Sequence, residues 1–147
     1  MSGQRPRSLT PHLFVRDADA AVAFYRIAFG AAELLRNSLP DGRVLFVELA
    51  VGPARLLISE ETPSLGALAP PTIGGSPVML HIEVEDPDVV ARRAVDAGAV
   101  VEMPIQEMFW GERYGVVRDP FGHRWSLSTA REQLTPNDIA RRTPPDV

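Results

Sequence analysis

The sequence contains no cysteine. That absence excludes a disulfide framework, a thiolate metal site and a cysteine nucleophile together, and it fits a reducing cytoplasm. No apolar run approaches the ~20 residues of a membrane span, and no apolar signal core follows the polar N-terminus with Arg5 and Arg7. Positive charge is not in excess: 15 Lys and Arg stand against 19 Asp and Glu, a net charge of −4. No basic face stands out, which argues against a nucleic-acid partner. Only three histidines occur, His12, His81 and His123, and no His-Glu-x-x-His spacing joins them. Glycine-rich phosphate loops and the Gly-x-Ser-x-Gly elbow of serine hydrolases are missing as well.

What remains is an ordinary globular composition: 147 residues, 45% hydrophobic and 23% charged, enough for one core without staples. Alternating apolar positions predict a first strand over residues 10–15, with Leu13 and Val15 on one face and His12 and Phe14 on the other. Asp17 is placed to cap a helix running to Phe29, and Gly30 to end it in a left-handed conformation. Strands follow over 32–39, 44–51 and 55–59. Gly52-Pro53 predicts a two-residue hairpin turn, which sets Glu48 opposite Leu57 and Phe46 opposite Ser59 on one face.

Residues 63–76 are rich in proline, glycine and small side chains, have no period, and read as a linker and candidate lid. The pattern then restarts with a strand over 78–84 and a helix capped by Asp86 with Pro87 at its first position. That helix ends at Gly98, and strands follow over 100–103, 114–118 and 124–128. Asp119-Pro120-Phe121-Gly122 reads as turn chemistry. Residues 1–8 read as a disordered tail, and 131–147 as a polar tail in which Thr135 caps a short helix.

The restart is a repeat. His12-Leu-Phe-Val-Arg-Asp17 overlays His81-Ile-Glu-Val-Glu-Asp86 at an offset of 69 residues. The expected architecture is α+β: one domain over 9–130 built of two βαβββ modules, 9–62 and 77–130. Related halves would place His12 and His81 on opposite walls of one concavity, with Glu48 and Glu83 sharing that face.

The stretches Thr10-Pro-His-Leu-Phe-Val-Arg-Asp17, Phe24-Tyr-Arg-Ile-Ala-Phe-Gly-Ala31, Leu80-His-Ile-Glu-Val-Glu-Asp86 and Phe109 through Leu127 resemble the vicinal oxygen chelate superfamily of glyoxalases, bleomycin-resistance proteins and extradiol dioxygenases. Its PhnB-like branch is the nearest in pattern. The resemblance implies βαβββ modules whose curved mixed sheets form a cup, and frequent homodimers, side by side or domain-swapped. It also implies, in the family's enzymes, a divalent metal held by two His and two Glu. Here those four positions fall on Thr10, Met79, Ser59 and Ser126, none a usual ligand. A one-residue slip would substitute Glu60 for Ser59, but alternation would turn it outward.

Three roles are open for His12 and His81: pocket histidines that set polarity, ligands with Glu48 of a displaced metal site, or a general acid–base pair. Trp110, Glu112 and Tyr114 lie in a segment that would cover a flat ligand or seal the sheet end, with Glu112 a candidate base. The leading expectation is a cytoplasmic homodimer without cofactor. It would sequester a small organic molecule among His12, Phe46, Glu48, Ser59, His81, Trp110, Tyr114 and Ser126. The alternative is a lyase, isomerase or dioxygenase using a metal at His12, Glu48 and His81.

Overall fold

The computed structural model describes residues 3–147; the expected tail over 1–8 falls partly on Met1 and Ser2, which lie outside the described residues. The chain divides into two compact units, Met1–Thr72 and Ile73–Val147. Each is a βαβββ module with a mixed, open four-stranded sheet.

In the first unit β1 (His12–Val15) leads into α1 (Ala18–Phe29), followed by β2 (Ala32–Ser38), β3 (Val44–Val51) and β4 (Ala54–Glu60). The helix starts where Asp17 accepts the N–H of Ala20 at 3.0 Å. It stops at Gly30, whose φ of +69° lets its N–H return to the Arg26 carbonyl. The sheet order is β1-β4-β3-β2, with β1 parallel to β4 and the rest antiparallel. Gly52-Pro53 is a two-residue turn between paired Val51 and Ala54, and Glu48 lies opposite Leu57. Alternation then separates the faces. Leu13, Val15, Val47, Leu49, Leu56 and Ile58 are buried under α1 together with Tyr25. His12, Phe14, Phe46, Glu48, Leu57 and Ser59 take the other face.

The second unit repeats the plan with β5 (Met79–Glu83), α3 (Pro87–Asp96), β6 (Val100–Glu107), β7 (Glu112–Arg118) and β8 (Arg124–Ala130) in the order β5-β8-β7-β6. Asp86 accepts the N–H of Val89 to start α3. Val116, Val117, Trp125 and Leu127 are buried, and Val117, Trp125 and Leu127 share the face toward α3. Arg113 on that face clamps Asp88 of α3 through two hydrogen bonds of 2.6 and 2.9 Å. The hydroxyls of Ser126 and Ser128 take the opposite face with His81, Glu83, Glu112 and Tyr114.

Three local expectations need correction. The sixth strand does not stop near residue 103; it passes through Pro104 to Glu107, with register shifts at Met103 and Gln106. A proline is tolerated because β6 is an edge strand. Glu112 and Arg113 belong to β7 and not to a loop. The segment between the modules is not featureless: a 3₁₀ turn (Pro63–Leu65), a Thr62–Ala67 bridge and the single turn α2 (Pro70–Ile73) lie in it. The tail holds α4 (Pro136–Arg142), closed by a reciprocal capping box between Thr135 and Asp138.

Candidate functional site

The first unit carries a cavity of about 430 Å³ on the sheet face away from α1. Phe14, Leu45, Phe46 and Leu57 supply apolar surface from three strands, and Leu39, Leu65 and Ala67 extend it from the loops. His12 Nε2 lies 2.7 Å from the Ser59 hydroxyl, and the imidazole stacks on Phe14 with ring centroids 4.6 Å apart. Partial burial disfavours the imidazolium and lowers the His12 pKa below the ordinary 6.5, so the ring is neutral at pH 7. Two charged side chains line the cavity, Arg43 and Glu60. Glu60 does reach this site, but as an anchor: its carboxylate accepts the N–H of Ala18 at 3.1 Å and of Val44 at 2.9 Å. Glu48 is on the same sheet face but outside the lining, 3.4 Å from Arg55.

The second unit carries a polar chain on the corresponding face. His81 Nδ1 is 2.6 Å from the Ser126 hydroxyl and Nε2 is 3.0 Å from that of Ser128. Ser128 donates onward to Glu112 at 3.3 Å, and the other Glu112 oxygen accepts the Trp110 indole N–H at 2.6 Å. One assignment satisfies every member: Nε2–H donates to Ser128, and Nδ1 accepts from Ser126. Tyr114 stacks beside His81 at 6.0 Å and meets Trp110 edge-on at 5.3 Å. Glu83, two residues along β5, completes a group with His81 and Glu112 whose donor atoms all lie within 4.8 Å of one another.

The sequence-derived residues therefore separate by unit. His12, Phe46 and Ser59 share the first cavity; His81, Trp110, Glu112, Tyr114 and Ser126 share the second cluster. The proposed metal set of His12, Glu48 and His81 draws on both units, and Glu48 is engaged with Arg55. Among the described residues, His81, Glu83 and Glu112 form a group with metal-ligand chemistry. Sequence reasoning missed Ser128, Arg43 and the ligand potential of Glu83. The first was within reach: parallel pairing of His12 with Leu57 and of His81 with Ser126 carries the 69-residue offset onto the last strands. Ser128, not Ser126, is thus the counterpart of Ser59. Arg43 comes from a turn, where no period marks it.

Residues 8–127 match the Glyoxalase/Bleomycin resistance protein/Dioxygenase superfamily. An uncharacterized protein of Mycobacterium bovis, Mb0911c, is 38% identical over 135 residues, covering 90% of this chain and 89% of the relative. The X-ray structure of the Arabidopsis thaliana At5g48480 product superposes with a TM-score of 0.68 at 31% identity, covering 84% of this chain and 99% of that one. A bleomycin resistance determinant encoded on transposon Tn5 shares the fold at a TM-score of 0.61 and 20% identity, covering 86% of this chain and all of its own. With the match running from before β1 into β8, the chain belongs to the glyoxalase/bleomycin resistance/dioxygenase superfamily.

Proposed function

We propose that this protein binds and sequesters a small, largely apolar organic molecule in the cavity of its first unit. The observation that carries the reading is the cavity itself. About 430 Å³ of space is walled by Phe14, Phe46 and Leu57, with the His12–Ser59 pair as the polar anchor. Small-molecule sites have this make-up: apolar walls, few polar groups, and a volume of roughly 300–1,000 Å³. The reading includes the PhnB-like branch, a cytoplasmic setting and a homodimer. Exposed Leu34 and Leu35 on β2 supply apolar surface for self-association, which sedimentation velocity tests directly. Nothing in the sequence calls for nucleic acid, and no helix among the described residues is long and apolar enough to cross a membrane.

The test is a fluorescence titration with N-phenyl-1-naphthylamine, a neutral apolar probe. Saturable binding is expected, weakened about tenfold or more in Phe46→Ala, in line with ~1.5–3 kcal/mol for a buried phenyl group. Equal binding by the variant would refute the pocket.

A second reading, a metal-dependent lyase, isomerase or dioxygenase, is favoured by the His81, Glu83 and Glu112 group. One imidazole and two carboxylates suit zinc, manganese or iron. Such an ion would supply Lewis-acid activation of a bound oxygen. The protein's own part would be to hold Glu112 through Trp110 and Ser128 and to orient the His81 ring through Ser126. Metal analysis of protein made without a histidine tag tests it. Near-stoichiometric metal, lost in Glu83→Gln and His81→Ala, supports the reading; metal-free protein that takes up neither Mn²⁺ nor Zn²⁺ in calorimetry sinks it.

A further inference from the structure

We infer that the first unit's cavity selects an amphipathic organic anion, with its charged end at Arg43 and its apolar body against Phe14, Phe46 and Leu57. The inference rests on the pocket reading above and adds the ligand's chemical class. Of the two charged side chains lining the cavity, Glu60 is compensated where it stands. Each carboxylate oxygen accepts a backbone N–H, one of them from Ala18, the first residue of α1, where the helix presents its positive end. Arg43 is different. Its backbone N–H is taken by Asp41 at 3.0 Å, but its guanidinium has no hydrogen-bond or ion-pair partner among the described residues. Nine other arginines pair with carboxylates; among those left without such a pair, Arg43 is the one that lines this cavity.

His12 does not duplicate that charge. Burial lowers its pKa, leaving a neutral ring joined to Ser59. The cavity thus offers one cation at its mouth, one neutral polar pair inside and apolar surface between them. A carboxylate, sulfonate or phenolate on a ring system matches that sequence of surfaces. A guanidinium engages such oxygens with two parallel N–H bonds, and partial removal from water strengthens them. An organic cation would meet Arg43 as a like charge.

The probes are N-phenyl-1-naphthylamine and 1-anilinonaphthalene-8-sulfonate, which share one skeleton and differ by the sulfonate. The expected result is that the full-length protein binds the sulfonate on the order of tenfold tighter than the neutral probe. Arg43→Gln removes that preference by weakening the sulfonate far more than the neutral probe, while Arg43→Lys retains part of it. Equal affinity for the two probes in the unaltered protein, or a preference that survives Arg43→Gln, overturns the inference while neutral-probe binding keeps the pocket reading intact. If Phe46→Ala weakens neither probe, the pocket reading falls and this inference falls with it.

Discussion

Replacing Asp119 by asparagine should unfold the second unit at markedly lower denaturant. The Asp119 side chain is 3% exposed and accepts three N–H groups. One oxygen takes the backbone N–H of Phe121 at 2.9 Å and of His123 at 3.0 Å; the other takes the Trp125 indole at 2.8 Å. Among the described residues no buried side-chain nitrogen or oxygen is left without a partner. Asparagine has one acceptor oxygen and one NH₂ group. If its oxygen serves the two turn amides, its NH₂ faces the indole N–H, donor against donor. If it flips, both amides are stranded instead. Either way a buried donor loses its partner, costing about 1–3 kcal/mol, and the bonds that remain lose their charge assistance, so roughly 2–4 kcal/mol in all is expected. Both tryptophans, Trp110 and Trp125, lie in the second unit, so intrinsic fluorescence reports that unit. With a urea slope of about 1–3 kcal/mol/M, the midpoint should fall by about 1–2 M. A variant within about 0.3 M of the parent would refute the argument, because no placement of an amide satisfies all three donors.

Gly115→Ala should cost about 1–3 kcal/mol by overpacking. An added Cβ would sit 2.5 Å from Ile105 Cδ1 and 2.8 Å from the Met103 carbonyl oxygen, so β6 must move; urea denaturation measures it. The hydrogen bonds from Arg113 hold the Asp88 carboxyl below the ordinary aspartate value. Its folded pKa is depressed, so its contribution is present above the unfolded pKa and is lost as pH falls through the folded one. The stability gap between the parent and Asp88→Asn should therefore be present at pH 7 and close in acid; a gap that persists at pH 2 would contradict this. His12 should titrate below an ordinary histidine in an NMR pH series. Because burial favours its neutral form, stability should rise with pH between the folded and unfolded His12 pKa values. Titration at or above 6.5 would show the ring to be solvated.

The helix boundaries were legible because their causes are local. Asp17 and Asp86 cap through their own side chains, Gly30 takes a left-handed φ, and Pro87 has no N–H to leave unpaired. The first site face was legible too, since Gly52-Pro53 fixes one register and alternation does the rest. What escaped depends on neighbours. Pro104 reads as a strand end until β6 is known to be an edge. Glu48 reads as a free carboxylate until Arg55, across the hairpin, is seen to reach it. Glu60 was expected to point away, yet at the strand end its side chain finds the N–H groups of Ala18 and Val44. Glu83 stood two residues from His81 on the same face, visible by period alone; its nearness to Glu112 needed the pairing of β5 with β8 and of β8 with β7.

NMR chemical-shift mapping during titration with N-phenyl-1-naphthylamine locates the bound molecule most directly. The account predicts shifts concentrated at His12, Phe14, Phe46, Leu57 and Ser59, saturating together with one Kd. Shifts confined to the second unit, or scattered over the surface without saturation, would contradict it.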